Sequence, residues 1–360
     1  MSLLYGFGVY IRNQAYDLNL IKSKEFDVPV ISIGNITVGG TGKTPLVEHM
    51  VKLLREKFLV ATLSRGYKRK TTGFLYVDET SKAEDVGDEP LQLKRKFPKQ
   101  TVSVCEKRVD GVEKLLASDD GQIPDVVILD DAFQHRRIVS GINILLIDYN
   151  RPIKEDKLLP VGRLREGASQ MRRANIIIFT KCPDEITPIM RRILLKDVGL
   201  LPYQSLFFST MEYDKLIPVF NGTLDEESFY TEKSWAVLLV TGIAYPKPMQ
   251  DHIIKYSKKV ESLSYPDHYF YQESDIHQIM QKFNGITSEK KIIITTEKDS
   301  VRIKDMENLP EEFKTSLFYL PVKVKFLENE GKNFNQKILN YVGENKSNRE
   351  LHKRKNKRQS

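Results

Sequence analysis

Short apolar runs recur along the first 210 positions, and helix-length stretches of mixed polarity separate most of them. The runs are VPVISIG (28–34), FLVATLS (58–64), TVSVC (101–105), DVVILDD (125–131), INILLID (142–148), NIIIFTK (175–181) and SLFFST (205–210). They read as apolar on both faces, the pattern of parallel strands sandwiched between helix layers. Segments such as 44–56 and 106–118 supply the helices. The pattern predicts an α/β fold with a doubly wound, mostly parallel sheet. A second series follows, with strands in WAVLLVTG (235–242), KIIITTE (291–297) and LFYLPVKVKF (317–326) and helices over 247–259 and 273–284. It predicts a second, smaller α/β domain, and the polar stretch NGTLDEESFYTEKS (221–234) is the natural boundary. The expected organisation is an N-terminal helix over 1–22, a larger domain over 23–225, a smaller one over 226–345 and a tail over 346–360. The pattern also allows the chain to return across the boundary after residue 310.

The N-terminal run LLYGFGVYI is apolar from Leu3 to Ile11 and stops at Arg12. A spanning helix needs about 20 apolar residues, so this one cannot cross a bilayer. It lacks the preceding basic residue and the following small-x-small site of a signal peptide. Phe7, Ile11, Ala15 and Leu18 continue it at helical spacing. The segment is a helix that is either buried or laid in a membrane interface.

Composition narrows the class. With 40% hydrophobic and 29% charged residues in 360, the chain is of the soluble globular type and long enough for two cores. Cys105 and Cys182 cannot form a disulfide framework, and the six scattered histidines make no zinc-ligand spacing. The net charge of +8 is mostly a tail effect. Residues 346–360 hold seven Lys or Arg against one Glu, which leaves the other 345 residues at +2. The tail reads as disordered; it could touch anionic lipid or nucleic acid, but a solubilising role needs no partner.

The stretch NITVGGTGKTP (35–45) carries the first chemistry. It ends in Gly-Lys-Thr like a phosphate-binding loop, but Thr37 stands where the strict pattern has glycine. An apolar strand leads in and a helix leads out. Thr37, Val38, Gly39, Gly40, Thr41 and Gly42 would wrap a phosphate with backbone N–H groups. Lys43 would reach the β- and γ-phosphates, and Thr44 would put its hydroxyl on Mg²⁺. Pro45 fits the first helical turn. Thr37 implies that the loop's first turn is built differently. Asp130 and Asp131 end a strand and match the acids that hold Mg²⁺ beside such loops. Together these predict nucleotide binding. FTKCPDE approaches a guanine-reading motif, but Pro183 stands where an aspartate belongs, so ATP is favoured and FTK reads as a strand end.

Further polar clusters have two readings each. Asp88 in VGDEP is a helix cap or an acid. Arg163, Arg165 and Glu166 in LPVGRLREG are a solvated loop or phosphate ligands. Asp267 and His268 in YPDHYFY are structural or catalytic, and Lys298 ends a strand in TTEKDSVRI.

In order, GNITVGGTGKTP, SRGYKRK, VGDEP, LDDAFQHRR, LLPVGRLREG, VTGIAYPKPM, YPDHYFY and TTEKDSVRI resemble the tetraacyldisaccharide 4′-kinase family of lipid A biosynthesis. The resemblance runs to about residue 325, leaves out the basic tail, and extends to a loop without the first glycine. It implies an ATP- and Mg²⁺-dependent kinase that phosphorylates the 4′-hydroxyl of an acylated glucosamine disaccharide 1-phosphate. It also implies peripheral contact with the cytoplasmic face of the inner membrane through the N-terminal helix. No nucleic acid and no obligatory protein partner are expected. By the same resemblance, Asp88 is the acid that takes the 4′-hydroxyl proton and His268 pairs with it. Lys43 and Arg165 hold phosphates, Thr44, Asp130 and Asp131 handle Mg²⁺, and Glu166 lies nearby. Arg108 in CEKRVDG approaches the nucleotide, though Glu106 and Lys107 crowd it with charge; Gln134 and His135 line the site. Asp88 and His268 fall in different halves of the sequence, so the expectation is that domain closure brings them together. The readings from other classes are a nucleotide-dependent switch or metallochaperone, which lacks its guanine motif or metal site here, and a nucleic-acid-binding ATPase, which rests on the tail.

Overall fold

The structure is a computed structural model that describes residues 2–117 and 122–359, with side chains up to residue 348. Fourteen strands are described. They are β1 (Val30–Asn35), β2 (Val60–Ser64), β3 (Leu75–Tyr76), β4 (Thr101–Val104), β5 (Val126–Asp130), β6 (Ile142–Asp148) and β7 (Ile176–Thr180). Then come β8 (Ser205–Tyr213), β9 (Ile217–Pro218), β10 (Ala236–Thr241), β11 (Lys259–Ser264), β12 (Lys291–Thr296), β13 (Leu317–Leu320) and β14 (Val322–Phe326). The chain divides into two compact units. The first comprises Met1–Ser81, Leu93–Glu212 and Lys323–Ser360, and the second Lys82–Gln92 and Tyr213–Val322.

The first unit is built on a nine-stranded sheet in the order β14-β8-β7-β6-β1-β5-β2-β4-β3. Pairings from β8 through β4 are parallel, and β3 adds an antiparallel edge. Central strands rich in Val and Ile suit this position, because their branched side chains pack on both faces of the pleat. Leu145, Ile147, Ile177 and Phe179 pack with one apolar cluster, and Val30, Leu63, Val127 and Leu129 with another. β1 is the switch point, with β5, β2 and β4 on one side and β6, β7 and β8 on the other. Parallel register aligns Ile33 with Asp130, Asn35 with Leu146, and Asp148 with Thr180. The loops that leave β1, β5, β6 and β7 therefore emerge at one end of the sheet, where doubly wound folds bind ligands.

The second unit carries a five-stranded sheet in the order β11-β10-β12-β13-β9, parallel except for β9. Ala236, Leu238 and Val240 of β10 enter one core, while Val237 and Leu239 enter the other, as the period of two demands.

Three boundary expectations need correction. The chain changes units after Glu212, not near 225, and Lys82–Gln92 belongs to the second unit although it lies in the first half of the sequence. The run LFYLPVKVKF is two strands in two different sheets. Pro321 separates them, since it has no amide hydrogen to continue a ladder. Residues 346–359 are helical rather than the expected coil: the last helix runs Glu330–Gln359. Lys, Arg, Glu and Leu are good helix formers, and they extend a helix already nucleated by Phe334, Ile338 and Val342 in the core.

Candidate functional site

The loop between β1 and the helix Lys43–Leu54 departs from a glycine-only turn at its start. Thr37 is buried and forms an antiparallel bridge with Leu164. Val38 N donates to Arg163 O at 2.8 Å, and Arg165 N to Ile36 O at 2.7 Å. An extended strand-like residue is what this pairing needs, which accounts for threonine at 37. Beyond it, Gly39 (φ 104°) and Gly42 (φ 84°) take left-handed conformations that favour glycine. A Cβ on Gly42 would lie 2.2 Å from Met211 Cε.

The loop is gripped from outside. Thr180 Oγ1 donates to Thr41 O at 2.8 Å, Lys181 Nζ donates to Gly40 O, and Asn35 Nδ2 donates to Thr41 Oγ1 at 2.9 Å. Lys181 is itself held by Asp148 at 2.9 Å. With the carbonyls of residues 40 and 41 turned toward β7, the intervening peptide planes are fixed. FTK is therefore a strand end, as read from the sequence, but one whose last two residues hold the loop. The helix Lys43–Leu54 begins directly at Lys43, and Gly42 provides no side-chain cap. Its first-turn N–H groups and the positive end of its dipole are thus available to an anion.

Asp130, Asp131, Lys43 and Arg165 come together beside this loop. Arg165 Nη1 donates to both oxygens of Asp131 at 3.0 Å, and Lys43 Nζ lies 3.5 Å from Asp131 Oδ1. Burial alone would raise the Asp131 pKa, but Lys43 and Arg165 outweigh it and hold the carboxyl below its usual range. Asp130 Oδ1 accepts from Asp131 N at 2.8 Å. Arg108, the first residue of the helix Arg108–Leu116, is buried and donates to Cys105 O at 2.6 Å and Asp130 O at 3.4 Å. Burial lowers its pKa to about 10, against the pull of Asp130 and Asp131. The crowding by Glu106 is resolved, because Glu106 pairs with Arg69. His135 is pushed down to about 4 by burial and then by Arg108, so it is neutral near pH 7.

Glu166 sits apart from these groups. It is fully buried, with Oε1 accepting from Arg12 at 2.7 Å and Asn13 at 3.2 Å, and Oε2 from Arg173 and from Gln134 at 3.5 Å. Arg12 and Asn13 lie on the N-terminal helix Ser2–Asp17, so the Oε1 bonds anchor that helix. Gln134 Nε2 also donates to Asn35 O at 2.8 Å.

The second unit brings together a different cluster. Asp88 begins the helix Asp88–Lys96 and is almost fully buried. Its Oδ1 accepts from Arg302 Nε at 2.8 Å, and its Oδ2 accepts from Arg302 Nη2 and lies 3.1 Å from His268 Nδ1. Burial would raise the Asp88 pKa, but the Arg302 and His268 hydrogen bonds bring it down to about 2. Arg302 lies on the helix Glu297–Lys304, which Thr296 caps by accepting from Asp299 N at 3.0 Å. Asp299 also accepts from Gly242 N at 2.8 Å. The expectation that Asp88 and His268 meet only through domain closure is thus corrected. They belong to one unit and are paired within it. Arg302 and Asp299 were missed by sequence reasoning; the only signal was their i, i+3 spacing inside TTEKDSVRI.

The residues fit ATP and Mg²⁺. The uncapped helix start, the outward-turned carbonyls and Lys43 suit a polyphosphate. Mg²⁺ keeps several waters and takes only one or two carboxylates, so Thr44 with Asp130 and Asp131 would be enough to hold it. Among the described residues no group of three or more His, Cys, Asp and Glu could hold a metal ion by itself.

Comparison with known proteins matches this architecture throughout. The family model described as Tetraacyldisaccharide-1-P 4'-kinase matches residues 1–342. A Parabacteroides distasonis protein named Tetraacyldisaccharide 4'-kinase is 46% identical over 342 residues, covering 95% of this chain and 93% of that relative. One of the same name from Bacteroides thetaiotaomicron is 44% identical and covers 100% of this chain and 96% of its own. The crystal structure of LpxK from Aquifex aeolicus in complex with ATP is similar with a TM-score of 0.71 and 30% identity, covering 95% of this chain and 96% of that one. A phosphate loop with threonine at its first turn and a match spanning almost the whole chain lead to one conclusion: this chain belongs to the tetraacyldisaccharide-1-P 4'-kinase family.

Proposed function

We infer that the protein transfers the γ-phosphoryl group of ATP to the 4′-hydroxyl of an acylated glucosamine disaccharide 1-phosphate, giving the 1,4′-bisphosphate (lipid IVA). The observation that carries this reading is the phosphate loop, held open toward an anion by Thr180 and Lys181 and found in a chain of this family. Backbone N–H groups from Gly39 to Thr44 and Lys43 bind the phosphates, and Arg165 meets the charge that develops on the transferred group. Mg²⁺, held through Thr44, Asp130 and Asp131, would neutralise phosphate charge. Arg108 braces the end of β5 from behind.

Asp88 receives the acceptor. Three of its roughly four lone-pair directions are occupied by Arg302 and His268, which leaves one for the 4′-hydroxyl. A carboxylate with a pKa of about 2 is a weak base. Phosphoryl transfer through a loose transition state asks little of the base until late. Asp88 therefore acts first by orienting the hydroxyl, and takes its proton as the O4′–P bond forms and the bond to the ADP oxygen breaks.

The N-terminal helix supports placement at a membrane surface. Leu3 is 89% exposed, Leu4 73% and Phe7 63%, while Asn13 is its one buried residue. No helix among the described residues is long and apolar enough to cross a membrane. The reading is of a helix lying in the interface beside a lipid acceptor, on the cytoplasmic face where ATP is available.

The test is transfer of labelled phosphate from ATP, with Mg²⁺ and detergent-dispersed acylated disaccharide 1-phosphate. A bisphosphorylated product is expected. ATP binding without any transfer to this acceptor would refute the reading.

A further inference from the structure

His268 faces a donor on each side, and its two ring nitrogens cannot satisfy both. Nδ1 lies 3.1 Å from Asp88 Oδ2 but also 3.2 Å from Arg302 Nη2. Nε2 lies 2.9 Å from Lys298 Nζ. A neutral imidazole carries one proton, so it can donate from Nδ1 to Asp88, or accept at Nδ1 from Arg302 while Nε2 bears the proton. An ammonium has three donors and no acceptor. Lys298 can therefore bond to Nε2 only if that nitrogen presents its lone pair, which leaves the proton on Nδ1, facing the carboxylate.

Two further observations show that this contact is specified. Lys298 is in the first turn of the helix Glu297–Lys304, where the helix dipole disfavours a cation. Its side chain is mostly buried, and the nearest carboxylates, Glu89 and Asp267, are both 3.9 Å away. Both are long ion pairs, and the 2.9 Å contact to His268 Nε2 is the shortest that Lys298 makes among the described residues. His268 meanwhile takes a left-handed backbone conformation, φ 62°, with its N–H on Gly242 O at 3.3 Å. A strained residue aimed between two groups is a feature that its surroundings must enforce.

We propose that Lys298 is a positioning residue that fixes His268 in its Nδ1–H tautomer and so commits the ring to Asp88 rather than to Arg302. Asp88 then holds three donors and one outward lone pair. Without Lys298 the ring is free to turn its proton to Nε2 and accept from Arg302, and Asp88 loses the contact that sets its orientation. The functional part rests on the reading of Asp88 as the residue that receives the acceptor hydroxyl.

The test uses full-length protein with ¹⁵N-labelled histidine rings, the His268 signals being assigned with His268→Gln. In the wild type, Nδ1 is expected in the protonated range and Nε2 in the unprotonated range. That measurement needs no variant to fold, and an Nε2–H or doubly protonated ring would overturn the proposal. Lys298→Met is expected to shift both nitrogens toward the other tautomer, and Lys298→Arg to restore them. An unchanged spectrum in Lys298→Met would also overturn it. In parallel, kcat should fall at least about tenfold in Lys298→Met with KM for ATP unchanged, and Lys298→Arg should recover part of the loss. A shifted tautomer with unchanged kcat would uphold the positioning of His268 and refute Asp88 as the acceptor's ligand.

Discussion

Replacing Asp88 with Asn separates charge from shape at a buried, paired carboxylate of the second unit. Arg302 is the partner that suffers, with its side chain only 2% exposed. Removing one partner of a buried pair costs about 3–5 kcal/mol, because the remaining charge stays out of water. Here the cost is reduced, since Asp299 Oδ1 remains 3.3 Å from Arg302 Nη1 and the Asn carbonyl can still accept one bond. An independent route uses the depression of the Asp88 pKa from 3.8 to about 2, worth about 2 kcal/mol. Both routes point to a loss of about 2–3 kcal/mol. The assay is urea denaturation near pH 7, read as a lower midpoint at unchanged slope. The sign with pH follows from the depressed pKa. The stabilisation is complete above 3.8 and disappears as pH falls through about 2, so wild type and Asp88→Asn should converge across that window. Transfer activity should drop by about 10²–10⁴, with ATP affinity retained. Equal stability at pH 7, or curves that stay parallel down to pH 2, would refute the reasoning.

Three other outcomes are expected. Gly42→Ala should weaken ATP binding, measured by titration with a fluorescent analogue, because a left-handed alanine costs about 1–2 kcal/mol; adding Met211→Ala removes the clash but not the strain, so it should not restore affinity. Leu4→Glu with Phe7→Glu should abolish co-flotation with anionic vesicles while leaving activity on a detergent-dispersed acceptor near normal, and unaltered flotation would refute the interfacial helix. Glu166→Ala should leave Arg173 without its carboxylate and release the N-terminal helix, seen as faster proteolysis before residue 20 with the rest of the chain intact.

Much of the fold was legible because buried parallel strands leave continuous apolar runs. The seven runs before residue 211 all became strands of one sheet. The helix over 273–284 also stands as read, since its apolar positions Ile276, Ile279 and Phe283 keep helical spacing. β11 was missed because KVESLS, a strand at a sheet edge, carries polar residues on both of its alternating faces. The grouping of the loop, Lys43 and the aspartates could be read because a phosphate-loop pattern fixes residue types at short spacing. Arg302 could not, since its partner lies 214 positions away and no local pattern announces the pair. Glu166 shows how neighbours in sequence can differ in their contacts. It adjoins Arg165, yet Arg165 pairs with Asp131 while Glu166 accepts from Arg12, Asn13 and Arg173.

Pro321 has a consequence for how this protein can be divided. Neither unit is a contiguous piece of sequence. A fragment ended near 225 would take β14 from the larger sheet and bare the edge of β8, an invitation to intermolecular pairing. A fragment begun there would lack Asp88, leaving Arg302 as a buried cation without that carboxylate. Each unit is completed by chain from both sides of such a cut, so a single cut near 225 leaves neither of them intact.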